Sequence, residues 1–240
     1  TGFYAVFGFS NIYLLRNGFD YFGVGNDLNL FTHTWSLGVE EQFYLLFPVI
    51  YYLLFVAFKR RKGVLLLAGY GISLAFFSYL TIFKDPIWFY FSITRFWELL
   101  LGITAFAFQD ELRSVLKGKR WLSPVLLGVL ALVFCLHSDS QVMILTTTIL
   151  STHLTFILIH SLSQNRFLDN TLSASFVQRI AEMSYSLYLW HYLVIVGMMW
   201  TVGMDTLLLK MVSVIIFATG AYLSYEFLEK PVRNTRRSPW

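Results

Sequence analysis

The stretch "LFTHTWSLGVEEQFYLLFPVI", residues 30–50, decides the fold because it joins two adjacent carboxylates to a long apolar run. Glu40 and Glu41 stand at the head of this run, and Pro48 lies within it. A helix that crosses a hydrocarbon core of about 30 Å needs roughly 20 mostly apolar residues. The stretch therefore predicts a transmembrane helix over residues 41–58, with a polar cluster at its mouth.

The composition of the whole chain agrees with insertion into a membrane. Of the 240 residues, 57% are hydrophobic and 13% are charged, whereas a soluble domain carries about 25% charged residues. A single cysteine, Cys135, excludes a disulfide framework within the chain and a metal site built from cysteines. No histidine spacing typical of a metal site is present either. We therefore expect an all-α, polytopic transmembrane helix bundle, organised as one domain over residues 1–240.

Eight apolar segments along the chain are candidate membrane spans. They cover residues 2–15, 41–58, 64–83, 92–108, 121–136, 142–162, 180–200 and 207–228. Most of them have close to the 20 or so residues that a bilayer requires, whereas the segments at residues 2–15, 92–108 and 121–136 are shorter.

Basic residues are concentrated in alternate joints between these segments. These joints, together with the C-terminal tail, hold 14 of the 18 Lys and Arg residues. The positive-inside rule places them, and the C terminus, in the cytoplasm. The net charge of +4 then reflects topology and not a nucleic-acid site. Residues 229–240 form a cytoplasmic basic tail that is expected to contact anionic lipid, and residues 16–40 form an outer loop.

The first polar cluster lies where this outer loop enters the membrane. Its members are His33, Trp35, Ser36, Glu40 and Glu41. A structural interpretation makes Ser36 the N-cap of the helix and lets the helix dipole favour one acid. A second adjacent acid is harder to explain in that way, because neighbouring side chains point about 100° apart on a helix. One acid is expected to face the bundle interior, where an ionisable group indicates a functional site.

The second cluster is a charged pair inside a predicted span. Arg95, Glu98 and Gly102 follow a spacing of three and seven residues, which places them on one face of a helix. The pair is either purely structural or offers the Arg95 guanidinium to an anionic or carbonyl group. Gly102 on this face would allow another helix to approach closely.

The third cluster is a polar stripe in another predicted span. Ser184, Tyr188 and His191 share one helical face, and His191 falls near mid-membrane. The stripe either bonds a neighbouring helix or lines a substrate path. His153, among several threonines, is interpreted as a structural histidine that those hydroxyls satisfy.

At these residues the chain resembles the acyltransferase family 3 membrane proteins, which O-acylate cell-surface polysaccharides and peptidoglycan. The matching strings are "SNIYLL" (10–15), "HTWSLGVEEQFYLLFP" (33–48), "RFWELLLG" (95–102), "SYSLYLWH" (184–191) and "EKPVR" (229–233). Their order covers nearly the whole chain.

The resemblance implies a bundle of about ten spans and an acyl group, usually acetyl from acetyl-CoA, taken from the cytoplasm. The acyl group passes to a hydroxyl of a cell-surface glycan on the outer side of a bacterial inner or plasma membrane, with acyl-CoA as substrate and no bound cofactor. The family's first helix carries an Arg and a His taken as the catalytic pair. Neither appears here, so the chain resembles a family member without its N-terminal helices.

Within this chain, the interpretation assigns His33, Glu40, Glu41 and Arg95 to catalysis. The residues assigned to substrate binding are Trp35, Ser36, Glu98, Ser184, Tyr188 and His191. Two other function classes remain open at this point. Ionisable groups inside spans also mark transporters and flippases, and a chain without the catalytic helices could be a scaffold.

Overall fold

The computed structural model of the chain describes residues 1–17, 29–83, 87–135 and 140–235. All regular structure in these residues is helical, which confirms the all-α prediction. The α-helices are α1 (Gly2–Val6), α2 (Ser10–Arg16), α3 (Trp35–Tyr51), α4 (Lys62–Ile82), α5 (Ile87–Tyr90), α6 (Ser92–Ala107), α7 (Gln109–Leu116), α8 (Leu122–Cys135), α9 (Gln141–Ser161), α10 (Arg166–Leu172), α11 (Ser175–Glu182), α12 (Ser184–Thr201), α13 (Leu207–Ser224) and α14 (Lys230–Thr235). Turns of 3-10 type cover Thr32–Thr34, Lys59–Arg61 and Leu162–Gln164, and π-helical turns cover Tyr52–Ala57 and Tyr225–Glu229.

Several of these helices are suited to a bilayer. The stretches long and apolar enough to cross a membrane are Thr32–Ala57, Lys59–Ile82, Gln141–Ser161 and Leu207–Asn234, and Leu122–Cys135 is a shorter apolar helix. The polytopic transmembrane fold is therefore confirmed, while the predicted count of eight spans is not. Helices α6 and α12 occupy two more of the predicted spans.

Two predicted segments differ from the structure at their ends. The segment at residues 2–15 is divided into α1 and α2, because Gly8 adopts a φ of 70°. This left-handed conformation breaks a helix and costs glycine little. The helix that contains Pro48 begins at Trp35, six residues before the predicted start, and remains continuous to Tyr51. A π-helical turn follows it directly.

The contacts within the chain group these helices into two compact units. Unit 1 comprises Thr1–Gly38 and Ala174–Trp240, and unit 2 comprises Val39–Ser173. The first turn of α3 belongs to unit 1 and the rest of that helix to unit 2. Much of the predicted outer loop (residues 18–28) and the end of the basic tail (residues 236–240) lie outside the described residues.

Unit 2 is built around the packing of α4 against α6. The hydroxyl of Ser73 donates to the carbonyl of Ile93 at 2.6 Å and accepts the backbone N–H of Trp97 at 2.9 Å. The buried side chains of Phe77, Leu80 and Trp97 surround this junction. Helices α8 and α9 pack through a second buried cluster of leucines.

Unit 1 is built around α12 and α13, which meet where Trp190 covers Gly220. A Cβ added at Gly220 would lie 2.6 Å from the indole ring, so only glycine fits without a shift. Close approach at a small residue is a common way for membrane helices to pack. The ring of Trp190 and the missing side chain of Gly220 therefore fix the spacing of these two helices.

The π-helical turn after α13 and the start of α14 carry an ionic network within unit 1. Glu226 accepts from both Arg179 and Lys230 at 2.6 Å, and Glu229 lies 3.3 Å from Arg233. Lys230 and Arg233 of the tail segment each pair with an acid one turn earlier, and their expected contact with anionic lipid stays a prediction. The bond from Arg179 ties α11 to the π-helical turn that follows α13.

Candidate functional site

A cluster of aromatic and imidazole rings surrounds His33 in unit 1. The His33 side chain is 4% exposed. Its ring centroid lies 4.7 Å from that of Tyr192, 5.3 Å from Tyr188 and 5.8 Å from His191. The backbone of Leu30 is the described polar group that interacts with the His33 ring, and neither ring nitrogen makes a hydrogen bond of good geometry with it or with another described residue. We refer to His33, Ser36, Tyr188, His191 and Tyr192 as the histidine cluster.

Hydrogen bonds of Tyr188 hold this cluster together. The Tyr188 hydroxyl donates to the backbone carbonyl of His33 and lies 2.7 Å from the hydroxyl of Ser36. Since a phenol has one proton and a carbonyl can only accept, Ser36 must be the donor in the second bond. The chain Ser36–Tyr188–His33 therefore has a fixed direction.

The tautomer of His191 is fixed by its own helix. Its Nδ1 lies 3.2 Å from the carbonyl of Leu187, one turn earlier. A carbonyl can only accept, so Nδ1 carries a proton, and in the neutral ring Nε2 is left with its lone pair. His191 therefore offers a hydrogen-bond acceptor beside the ring of His33.

The segment before α3 positions His33 and Ser36. Thr32–Thr34 form a 3-10 turn that runs directly into α3, and the hydroxyl of Ser10 on α2 bonds the carbonyl of Thr34 at 2.8 Å. Ser36 therefore lies inside the first turn of α3, and its predicted role as N-cap is wrong. Its hydroxyl reaches Tyr188 instead of a backbone amide.

The predicted polar stripe of α12 is assembled only in part. Tyr188 and His191 enter the histidine cluster, whereas Ser184 is exposed at the first position of α12. Tyr192 was missed, although it lies four residues after Tyr188 and so on the same helical face. The half-buried Trp35 begins α3.

The two adjacent acids of α3 have different environments. Glu40 is half-buried and interacts with the hydroxyl of Tyr44 one turn later, whereas Glu41 is exposed. The expectation that their burial would differ is confirmed, and Glu40 is the acid that is withdrawn from solvent. On the same helix, Gln42 accepts a hydrogen bond from Ser92 of α6, within unit 2.

A cleft with a mostly apolar lining and several polar groups on its walls lies between α6, α8 and α9 in unit 2. Its volume is about 430 Å³. The residues that line it include Arg95 and Glu98 of α6, Phe134 of α8, and Thr148, Ser151, Thr152 and Thr155 of α9. We call this cavity the Arg95 cleft.

The charged wall of the Arg95 cleft is an ion pair. The guanidinium of Arg95 lies 3.0 Å from the Glu98 carboxylate, with the side chains 19% and 25% exposed. The pairing expected from their spacing is thus confirmed. Gly102 also borders the cleft, and nothing described lies within 4 Å of a Cβ placed there. No helix among the described residues therefore uses the close approach that Gly102 would allow.

The opposite wall of the cleft presents hydroxyl oxygens. Thr152 donates to the carbonyl of Thr148 at 2.8 Å, and Thr155 donates to that of Ser151 at 2.8 Å. Because these protons are used within α9, each oxygen keeps lone pairs that can accept a bond from a ligand. The cleft can therefore hold a ligand that both donates and accepts hydrogen bonds.

His153 has the structural role that was predicted, but with different partners. Its Nε2 lies 2.7 Å from the hydroxyl of Tyr70 and its Nδ1 lies 2.7 Å from the carbonyl of Ile149. The neighbouring threonines bond their own backbone. Among the described residues no group of three His, Cys, Asp or Glu side chains is placed to hold a metal ion.

The similarity to known proteins extends over most of the chain. A family model described as an acyltransferase domain (acyltransferase 3) matches residues 1–225. The O-acetyltransferase OatA of Staphylococcus aureus strains NCTC 8325 / PS 47, COL and MRSA252 is 31% identical over 96% of this chain. The chain spans 40% of the length of these relatives. No solved structure gives a significant match.

Proposed function

Because the chain belongs to the acyltransferase 3 family, we propose that it forms the membrane part of an O-acyltransferase. In this proposal an acetyl group passes from a cytoplasmic acyl-CoA to a hydroxyl of a cell-surface glycan. A new ester C–O bond forms, the thioester C–S bond breaks, and the hydroxyl proton ends on the CoA thiol. The names of the relatives support an acetyl group as the one transferred.

The histidine cluster is the observation that carries this proposal. A buried imidazole in a membrane segment is costly and therefore indicates a function. His191 Nε2 accepts a hydrogen bond from the acceptor hydroxyl, and His33 lies against it at 5.8 Å between ring centroids. Ser36 and Tyr188 hold the backbone of His33 in place. The cluster thereby orients a hydroxyl and accepts its proton.

The Arg95 cleft is proposed to hold a polar part of a substrate. The Arg95 guanidinium presents several N–H donors to a carbonyl or an acidic sugar, while Glu98 and the α9 hydroxyls accept from sugar hydroxyls. A volume of about 430 Å³ lies within the range of about 300–1,000 Å³ typical of small-molecule sites.

Substitutions in the full-length protein test these roles. We expect Arg95→Gln to lower surface O-acetylation about tenfold or more, because a hydrogen bond to a charged group contributes about 1.5–3 kcal/mol. Thr152→Val should lower it more weakly. Thr146→Val is the matched control, because this exposed hydroxyl also bonds its own helix and does not line the cleft. Normal O-acetylation in the Arg95 variant would remove the cleft from the mechanism.

The adjacent acids of α3 supply a second matched pair. Glu40→Gln changes a half-buried group and is expected to lower activity, whereas Glu41→Gln changes an exposed one and should not. Both variants lose one negative charge at the same end of one helix, so the comparison isolates burial. An equal loss in both would contradict the assignment.

Substrate-dependent flux with no acyl transfer by the purified protein would support a transporter instead.

The proposed topology places the C terminus and the basic joints in the cytoplasm of a bacterium. Its support is the uneven distribution of Lys and Arg. Cysteines introduced at Arg60, in the exposed turn before α4, should react with a membrane-impermeant reagent only after the cells are opened. Labelling of intact cells at this position would reverse the orientation.

A further inference from the structure

A second cavity in unit 2 lies on the basic side of the chain, away from the residues assigned above. It has a volume of about 710 Å³ and lies between the turn that joins α7 to α8 and the start of α10. Its charged lining residues are Lys117, Arg120, Arg166 and Asp169. We call it the basic cleft.

Two hydrogen bonds hold the walls of the basic cleft together. The backbone N–H of Gly118 donates to the side-chain oxygen of Gln164 at 3.3 Å, and the Asn165 amide donates to the carbonyl of Arg120 at 3.0 Å. The Asn165 oxygen in turn accepts the backbone N–H groups of residues 167 and 168, at the start of α10. Gly118 has a φ of 82°, a conformation that favours glycine. The side chains of Gln164 and Asn165 therefore hold their loop against the backbone of the loop that contains Gly118 and Arg120.

The cations of the basic cleft are not neutralised within the described part of the chain. No ion pair joins Lys117, Arg120 or Arg166 to a described acid, whereas Arg95 and the described cations at the end of α13 are all paired. With Asp169 as the only acid among its described lining residues, the cleft carries a net charge of two positive units. Arginine forks bind phosphate oxygens in pairs, and a lysine binds them as a point charge.

We propose that the basic cleft binds the phosphate groups of a ligand on the cytoplasmic side. If the proposed function holds, this ligand is the nucleotide end of the acyl-CoA donor, whose phosphates carry several negative charges. An anionic lipid headgroup offers the same chemistry. The positive-inside rule explains why basic residues lie on this side of a membrane. It does not explain why three of them line a cavity whose walls are joined by hydrogen bonds.

Equilibrium binding to the purified full-length protein in neutral detergent tests this assignment. We expect Arg120→Gln with Arg166→Gln to weaken coenzyme A binding about a hundredfold, at about tenfold for each lost charged contact. Binding of pantetheine, which has no phosphate, should stay unchanged. The control is Lys59→Gln with Arg60→Gln, which removes the same charge from an exposed basic turn outside the cleft. Arg120→Lys keeps the charge and should retain intermediate affinity.

The two phosphate sources are separated by a second binding measurement. The same proteins are tested against phosphatidylcholine vesicles with and without phosphatidylglycerol. If the cleft variant loses coenzyme A binding and the control variant does not, the ligand is the nucleotide. If the cleft variant loses phosphatidylglycerol binding and keeps coenzyme A binding, the ligand is the lipid headgroup. Unchanged binding of both, or an equal loss in the control, overturns the inference. Matching thermal unfolding midpoints show that the variants are folded.

These outcomes are independent of catalysis. A protein that binds coenzyme A through the basic cleft but transfers no acyl group would refute the proposed function and leave the phosphate site intact. Normal acyl transfer by a cleft variant with unaltered affinity for both coenzyme A and phosphatidylglycerol would refute the phosphate site alone.

Discussion

Removal of the Tyr188 hydroxyl should cost stability in a way that depends on Ser36. The hydroxyl donates to the carbonyl of His33 and accepts from Ser36, and one hydrogen bond contributes about 0.5–1.5 kcal/mol. Ser36→Ala removes one bond and should cost about 1 kcal/mol. Tyr188→Phe removes both and leaves the His33 carbonyl without this donor, so we expect about 2 kcal/mol.

The double variant gives the sharper result. Once Tyr188 is phenylalanine, Ser36 has already lost this partner, so Ser36→Ala should add almost nothing. The two single changes should therefore be non-additive by about 1 kcal/mol, the value of the shared bond.

Thermal unfolding of the full-length protein in detergent measures these differences. Tyr79→Phe is the control, because this tyrosine is 58% exposed on α4 and its hydroxyl makes no hydrogen bond with a described residue. It should leave the midpoint unchanged. Strict additivity of the changes at positions 36 and 188 would refute the fixed chain of hydrogen bonds in the histidine cluster.

Two further changes test the packing of each unit. Gly220→Ala should destabilise the protein by about 1–3 kcal/mol, because its Cβ would meet the rigid ring of Trp190 at 2.6 Å. Gly197→Ala on α12 meets nothing within 4 Å and should be neutral or stabilising in the same unfolding assay. Tyr70→Phe removes the 2.7 Å bond to His153 and should cost about 1 kcal/mol. An unchanged midpoint for this variant would show that His153 has another partner.

Features set by helical periodicity were predictable from the sequence. The spacing of three residues between Arg95 and Glu98 fixes their common face, and the structure places them in an ion pair. The pairing of Tyr188 with His191 on one face of α12 follows from the same geometry. Such relations depend only on the helix itself, so no knowledge of its neighbours is required.

Features that depend on partners distant in sequence were not predictable. Tyr188 meets the carbonyl of His33 across 155 positions, and no local pattern specifies that contact. Ser36 illustrates the consequence, since its residue type fits an N-cap but its hydroxyl reaches Tyr188 instead. The break at Gly8 was missed because a membrane helix tolerates glycine, and only the φ of 70° identifies this glycine as a turn.

The packing of the fold requires neither of the two polar sites inside the predicted spans. A half-buried ion pair such as Arg95–Glu98 is weak evidence for stability, since apolar residues of similar volume often stabilise a fold equally well. Its position on the wall of an open cleft, opposite hydroxyl oxygens that can still accept, is unnecessary for packing. The same holds for His33. A hydrophobic side chain could fill its space among the aromatic neighbours without burying two ring nitrogens. Both sites therefore place polar groups inside a membrane protein where packing does not require them, and a polar ligand is the physical reason that we propose for them.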